Sequence, residues 1–358
     1  MVKYIIDKIF YSLLTLFGVV TVIFFLFNVL PGDPAQMMLG QNENSQQLKV
    51  VKKKYGFDKP IISQYVLYLN DLSPISFHSN NLEDYSYFNK NNYSGIQIIK
   101  LSNFTINAKL PYLRTSFVSQ GKKVSEIISD TLPNTFILAV SAILIAITFG
   151  IFLGIISALN KNSIIDLTIQ VFSTVGMSVP SFFSAIIFAW VFGFLLKDYT
   201  GLEMSGSLYE LDDYGESFHL KLKNLILPSI VLGIRPLAVI SQLMRNELLN
   251  VLNQDYIRTA RAKGLSEFNV IKNHALKNSL NPVVTVISGW FASLLAGAVF
   301  VEYIFGWNGI GKEIVNALNL LDLPVIMGSV LVIAFMFILI NILVDIIYLK
   351  LDPRIKIN

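Results

Sequence analysis

The sequence predicts an all-α protein that crosses a membrane several times, and two observations carry that prediction. Of the 358 residues, 53% are hydrophobic and only 15% are charged, whereas ordinary soluble domains carry about 25% charged residues. The apolar residues also gather into runs of roughly 20 residues or more, the length that a helix needs to cross about 30 Å of hydrocarbon. We therefore predict a polytopic membrane protein with six transmembrane helices.

Six apolar runs are the predicted spans. They cover about 9–30, 133–159, 168–196, 225–244, 283–305 and 325–349. Gly and Pro occur inside several of them, which membrane helices tolerate. The first run is too long for the apolar part of a cleaved signal peptide, and it ends in Pro31-Gly32-Asp33-Pro34 rather than at a small-residue cleavage site. We expect it to remain as a span.

Basic residues are shared unevenly between the two sides of these spans. The N-terminal tail, the 160–167 and 245–282 loops and the 350–358 tail together carry twelve Lys and Arg, against four in the loops 197–224 and 306–325. Because short cytoplasmic loops are enriched in Lys and Arg, both termini and 245–282 are predicted to be cytoplasmic.

The chain is thus predicted to have four parts. They are an N-terminal tail with the first span (1–30), an extracytoplasmic segment (31–132), a five-helix core containing the 245–282 loop (133–349) and a cytoplasmic tail (350–358). Within the extracytoplasmic segment, residues 75–110 are rich in Asn, Ser and Tyr and predict a solvated insertion with some β structure. Helical spacing is seen over 46–72, and 122–132 predicts a short helix that enters the second span.

The sequence contains no constellation typical of an enzyme. There is no Cys, which excludes disulfides, thiolate metal sites and Cys nucleophiles. No P-loop is present, and His78, His219 and His274 are scattered without a second metal ligand at helical spacing. We predict no cofactor and no metal site. Nucleic-acid binding is disfavoured because the basic residues lie on short loops between spans.

Arg235 lies near the middle of the fourth span, where an unpaired charge in lipid costs at least about 2.5–3.5 kcal/mol. It should therefore face protein or water. Two interpretations stay open: a path-lining residue that attracts a carboxylate or carbonyl of a passing substrate, or a residue without a transport role that forms a structural pair or, displaced by Pro236, reaches towards the membrane surface. Ser178 and Gln242 are grouped with Arg235 as candidate path residues. Glu302 and Asp345, near span ends, give limited support to an ion-driven carrier.

The 245–282 loop predicts two short helices joined by a turn. Asp255 suits the N-cap of the first helix, Gly264 suits the position after its end, and Ser266 suits the cap of the second. Ala260 makes the first helix slender. On physical grounds this helix either enters a groove of a partner protein or lies on anionic headgroups.

Residues 255–282 (DYIRTARAKGLSEFNVIKNHALKNSLNP) resemble the cytoplasmic coupling loop of ABC-importer permeases, in the version carried by peptide importers. Further matches to that family are Tyr4, Ile5 and Lys8, TLFGV (15–19), PGDP (31–34), YGFDKPIISQY (55–65), LPNT (132–135), SVPSF (178–182), ILPS (226–229), EYIFGWNGIG (302–311) and LDPR (351–354). The family's general Glu-Ala-Ala start is replaced by Arg258-Thr259-Ala260, which is usual for the peptide branch. Asn308 stands where that branch usually has Pro.

The resemblance implies a subunit of a multi-pass complex in the bacterial cytoplasmic (inner) membrane. It implies as partners a second permease subunit, two ABC ATPase subunits that hydrolyse ATP in place of this chain, an extracytoplasmic solute-binding protein and a peptide substrate. The implied ATPase-coupling residues are Asp255, Tyr256, Arg258, Ala260, Arg261, Lys263, Gly264, Leu265 and Glu267. The alternatives are a stand-alone carrier or channel and, within the family, a cargo such as nickel chelates or other small solutes.

Overall fold

The computed structural model describes residues 2–29, 35–36, 45–82, 84–119, 121–212 and 214–351. Its longer helices are α1 (Val2–Val29), α2 (Ser45–Tyr55), α3 (Ile61–Leu72), α4 (Val124–Leu159), α5 (Ile164–Ser178), α6 (Ser181–Trp190), α8 (Lys223–Leu252), α9 (Asp255–Ala262), α11 (Leu276–Gly297), α13 (Ile310–Asn319) and α14 (Leu323–Leu351). Shorter helices are α7 (Lys197–Thr200), α10 (Glu267–Asn269) and α12 (Val299–Phe305), and π-helical turns cover Val191–Leu195 and Val270–Ala275.

Within the described residues, five helices are long and apolar enough to cross a membrane, or six if one bent pair counts as a single span. The prediction of a polytopic all-α membrane protein is therefore confirmed. The bent pair is the predicted third span, which the structure breaks between α5 and α6 at an angle of 108°. The break falls at Pro180, which disfavours helical backbone in the residue before it, and Val179 is accordingly extended (φ −79°, ψ 129°).

Three predicted boundaries differ from the structure. The short helix expected over 122–132 is continuous with the second span, and together they form α4 with Pro133 inside it. The fourth span continues as α8 to Leu252, so that Arg245 belongs to the span and not to the loop after it. The fifth span ends at Gly297, and α12 follows as a separate helix. The PGDP segment and the tail beyond residue 351 lie outside the described residues.

The chain divides into two compact units. The first takes in the residues up to Lys8, Thr131–Lys312 and those from Ile333 on, and the second takes in Ile9–Asp130 and Glu313–Val332. The core of the first unit depends on small residues, because the fully buried Ala139, Ala142 and Ala146 give α4 a narrow face. A Cβ on Gly154 of that helix would lie 2.6 Å from the Ser241 carbonyl oxygen of α8. Small residues at such contacts let membrane helices approach closely.

The second unit contains the β structure that was expected in the 75–110 insertion. Strands β1 (Ile75–Ser79), β2 (Gly95–Lys100) and β3 (Phe104–Lys109) form an antiparallel sheet in the order β1-β3-β2. A second hairpin, β4 (Tyr209–Leu211) and β5 (Phe218–Leu220), lies in the first unit. Beside the three-stranded sheet, the buried Asp71 accepts hydrogen bonds from Tyr93 Oη at 2.9 Å and from Arg114 Nε at 3.0 Å.

Candidate functional site

The predicted coupling residues lie on α9 and on the turn that follows it. Asp255 is the first residue of α9 rather than its N-cap, because the capping position belongs to Gln254. Its side chain is exposed and meets Arg258 Nη1 at 3.5 Å. Gly264 has φ +79°, with open space around it, as expected of the residue after the end of a helix. Ser266 occupies the N-cap position of α10, although its side chain makes no capping hydrogen bond.

The turn between α9 and α10 is held by an ion pair. Arg261 donates from Nε to Glu267 Oε1 at 2.8 Å and from Nη2 to Glu267 Oε2 at 3.2 Å. The two bonds fix the plane of the Arg261 guanidinium relative to that of the Glu267 carboxylate, so that the turn around Gly264 has a defined shape. Tyr256, at the other end of α9, accepts a hydrogen bond from Asn278 Nδ2 of α11 at 2.8 Å. These two contacts tie both ends of α9 to the segment that follows it.

The face of α9 that packs against the rest of the protein is apolar. Ile257 and Ala260 are buried, and they join a core cluster with Leu248 of α8 and Val270 of the second π-helical turn. From the sequence, Ala260 was predicted to contact a partner because of its small size. In the structure it is buried, because this side of α9 packs on the second π-helical turn.

The opposite face of α9 and the turn after it are exposed. Tyr256, Arg258, Lys263 and Leu265 lie on this surface. Phe268 on α10 was not predicted from the sequence; it is 69% exposed beneath the ammonium of Lys272, which lies 5.7 Å from the ring centroid. A large aromatic residue next to a charged turn was the available signal, because aromatic side chains are enriched at interfaces.

A polar stripe follows one side of α5. Asp166, Gln170, Thr174 and Ser178 recur at intervals of four residues, so that they share one face of the helix. Ser178 Oγ donates to the Thr174 carbonyl oxygen at 2.8 Å, and Thr174 Oγ1 donates to that of Gln170 at 2.9 Å. Along the stripe the exposure rises from the buried Asp166 to the exposed Ser178.

Helix α8 contributes polar groups to the same interface. Gln242 Nε2 donates to Thr174 Oγ1 at 3.4 Å. Gln242 and Ser178 therefore both hydrogen-bond to Thr174. Arg235 is exposed on α8 next to Ile234, which opposes Gly176 of α5. The three candidate path residues are therefore carried by one helix pair. Exposed polar side chains at this depth of a span face water or another subunit.

The stripe ends in a buried ion pair that the sequence analysis did not anticipate. Arg245 Nε donates to Asp166 Oδ1 at 2.7 Å and Arg245 Nη2 donates to Asp166 Oδ2 at 2.7 Å. Their side chains are 15% and 3% exposed. The available signal was an Asp near the start of one apolar run and an Arg near the end of another, although pairing them requires the tertiary structure.

The motif EYIFGWNGIG forms a tight corner in the first unit. Glu302 is fully buried and accepts a hydrogen bond from Gly311 N at 2.8 Å. Trp307 Nε1 donates to the Asn134 carbonyl oxygen at 3.0 Å, so the LPNT motif packs against this corner. Asn308, which stands in place of a Pro, accepts from Lys312 Nζ at 2.7 Å and stabilises the turn with its side chain.

The two carboxylates that had supported an ion-driven carrier have structural partners. Glu302 caps the corner just described, and Asp345 of α14 forms an ion pair with Lys8 of α1. No group of three or more metal-ligating side chains occurs within the part of the chain that the structure describes. The carrier alternative therefore gains nothing from these residues.

Comparisons with known proteins agree with this arrangement. The family described as binding-protein-dependent transport system inner membrane component matches residues 150–357, and the family of its N-terminal part matches residues 1–77. The dipeptide transport system permease protein DppB of Alkalihalophilus pseudofirmus is 35% identical over 358 residues and covers 95% of each chain. DppB of Bacillus subtilis is 33% identical over 358 residues, covering 100% of this chain and 99% of that protein.

Among solved structures, an inward-facing form of the MetNI methionine ABC transporter superposes with a TM-score of 0.51 at 13% identity, covering 64% of this chain and 97% of that chain. At this identity the likeness concerns the fold alone. Together, the fold, the polar helix pair and the sequence matches define a transport protein of the inner membrane. This protein is of the ABC-importer permease class. The chain belongs to the binding-protein-dependent transport system inner membrane component family.

Proposed function

We propose that this permease carries peptides and forms one half of the translocation pathway together with a second permease subunit. The observation that supports this cargo most directly is the near full-length similarity to proteins named dipeptide permeases. The polar stripe of α5 is suited to such a cargo, because Gln170, Thr174 and Ser178 offer neutral hydrogen-bonding groups rather than a fixed charge. Neutral donors and acceptors match peptide backbone groups whatever the side chains of the peptide.

We infer further that α9 lies on the cytoplasmic side and docks into a groove of a separate ATPase subunit, which hydrolyses ATP. Its exposed face carries charged and aromatic side chains, while its apolar face packs on the second π-helical turn, which contacts α8. A helix anchored in this way moves with the spans to which it is packed. Arg258 and Lys263 would orient the ATPase subunit, and Tyr256, Leu265 and Phe268 would supply apolar contact area. An extracytoplasmic binding protein would deliver the peptide.

Reconstitution tests this proposal. The chain is co-expressed with a second permease, ATPase subunits and a binding protein of this transporter class from the same organism, and the purified complex is placed in liposomes. ATP hydrolysis and uptake of labelled dialanine and trialanine are then measured. We expect both peptides to stimulate hydrolysis in the presence of the binding protein and to accumulate only with ATP. Uptake by the isolated chain without ATP would overturn the ATPase proposal, and uptake of nickel chelates but of neither peptide would overturn the cargo.

A further inference from the structure

Glycines lie in the contact between α8 and the α4–α5 hairpin. Gly154 of α4 lies against Met244 and the backbone of Ser241, and Gly176 of α5 lies against Ile234. Contacts of this kind let helices approach closely, but a glycine has no side chain that could form a hydrogen bond or an ion pair with the neighbouring helix.

Packing between these helices is also incomplete. A cleft of about 230 Å³, open to the surface, lies between α5 and α8, and it is lined mainly by apolar side chains, among them Phe172, Ile234 and Leu237. Side chains that line an open cleft have no partner atoms on one side, so they contribute less dispersion attraction than a closed contact would.

Asp166 supplies the directional contact that the glycine surfaces lack. Besides the two bonds from Arg245, its carboxylate accepts from Ser157 Oγ at 2.5 Å, from Asn162 N at 2.9 Å and from Gln170 Nε2 at 3.0 Å. Ser157 belongs to α4, Asn162 to the turn after it and Gln170 to α5. One buried carboxylate therefore joins the whole hairpin to α8.

Arg245 lies on the part of α8 that leads directly into α9. α9 packs on the second π-helical turn, which also contacts α8, and Ile257 of α9, Val270 of that turn and Leu248 of α8 share one buried cluster. A displacement of α9 is therefore carried to α8 by apolar packing, and from α8 to the hairpin by the guanidinium–carboxylate pair.

We propose that the Asp166–Arg245 ion pair is the link that makes the α4–α5 hairpin move as one body with α8 and α9, so that both are positioning residues for transport. The proposal rests on the proposed docking of α9 to an ATPase subunit. Without the pair, α8 and α9 still follow the ATPase, but no hydrogen bond or ion pair from Arg245 carries the hairpin with them and the polar stripe of α5 no longer follows. Hydrolysis then continues without a matching amount of transport.

The test measures uptake of dialanine per ATP hydrolysed by the reconstituted complex, together with the yield and the melting temperature of that complex. Asp166→Asn and Arg245→Met each leave one buried charge without its partner, which endangers folding. The double variant Asp166→Asn/Arg245→Met removes both charges and avoids that cost. Arg245→Lys keeps the positive charge but replaces the planar guanidinium, which makes two bonds to the carboxylate, by a single ammonium.

We expect the double variant to assemble and hydrolyse ATP, with uptake per ATP reduced by about tenfold, within the range of about 5–150-fold typical of coupling between sites. Arg245→Lys, which keeps Asp166, should give an uptake per ATP between that of the double variant and that of the wild type. The matched control is Lys197→Met/Glu203→Gln, which removes an ion pair of the first unit whose side chains are 52% and 48% exposed. Its uptake per ATP should equal that of the wild type.

A merely structural pair would lower the yield of complex while leaving uptake per ATP unchanged in the molecules that assemble, and that result would overturn the proposal. Loss of assembly in every variant, including Arg245→Lys, would also overturn it. Failure of the proposed function is seen separately, because the wild-type complex itself would then show no hydrolysis that responds to peptide and binding protein.

Discussion

Glu302 and Gly311 are joined by a hydrogen bond of 2.8 Å from the Gly311 N–H to the buried carboxylate of Glu302. The same oxygen accepts from Lys312 N at 3.3 Å. Gly311 is the second residue of α13, so the carboxylate satisfies donors at a helix N-terminus, where a negative charge is favourable. The corner of the EYIFGWNGIG motif therefore depends on one side chain from the helix before it.

Glu302→Ala should destabilise this corner. The change leaves the buried Gly311 N–H and the partly buried Lys312 N–H without this acceptor and opens a cavity, which together cost about 2–4 kcal/mol. Glu302→Gln keeps an acceptor oxygen and most of the volume, and we expect less than half of that loss. Thermal unfolding of the purified full chain in detergent measures both variants. Equal melting temperatures for Glu302→Ala and the wild type would contradict the capping role.

Gly154→Ala should weaken the close crossing of α4 and α8. The added Cβ would lie 2.6 Å from the Ser241 carbonyl oxygen and 2.7 Å from Met244 Cβ, so the helices must separate. Overpacking of this kind costs about 1–3 kcal/mol. Gly289→Ala is the matched control, because its Cβ has no neighbour within 4 Å and lies in α11. Alanine favours a helix over glycine, so the control should be neutral or stabilising by up to about 1 kcal/mol in the same unfolding assay.

Charge reversal at the Arg261–Glu267 pair distinguishes an effect on the stability of the chain from an effect on binding of the ATPase subunits. Their side chains are 42% and 64% exposed, and pairs at such positions contribute about 0–1 kcal/mol. Arg261→Glu should therefore leave the melting temperature nearly unchanged while it lowers binding of the ATPase subunits, scored by co-purification. The double variant Arg261→Glu/Glu267→Arg restores the pair and hence the shape of the turn. If the single variant binds the ATPase subunits like the wild type, this turn is not part of the docking surface.

Lys109 gives the second unit a distinct pH dependence. Burial lowers the pKa of this lysine to about 8 from its usual 10.5, and the nearby Asp71 opposes that shift only in part. Between these two pH values the unfolded chain binds more protons than the folded one, so Lys109 makes stability rise with pH over this window. Below pH 8 both states hold the proton and Lys109 contributes no slope.

Three tyrosines of the second unit reverse the trend at higher pH. Burial raises the pKa of Tyr68 and of Tyr112 to about 12 and also raises that of Tyr93, so above pH 10 the unfolded chain loses protons that the folded one keeps. The rise should therefore be sought between pH 8 and 9.5, by following the melting temperature of the wild type and of Lys109→Met. A slope that is the same in both proteins would show that Lys109 does not cause it.

The sequence was sufficient for the class of fold because length and hydrophobicity alone decide whether a helix can cross a membrane. It also located the Gly264 turn correctly, since a residue after a helix end that takes positive φ favours glycine. Local patterns were less reliable where a charged residue stands at the end of an apolar run. Arg245 was assigned to a loop because of its charge, whereas its ion pair with the buried carboxylate of Asp166 allows it to remain in the span.

What the sequence by itself determined is the set of apolar spans and the identity of the exposed charges on the α9 turn, because both depend on residues close together in the chain. The tertiary structure decided which groups meet across the chain. Asp166 and Arg245 are 79 positions apart, and no periodicity connects them. Ala260 is buried for a similar reason, since only the packing of α9 on the second π-helical turn fixes which side of this short helix faces inward. The family resemblance was thus recognisable from local motifs, whereas the contacts that join α9 to the spans depend on the packing of helices from distant parts of the chain.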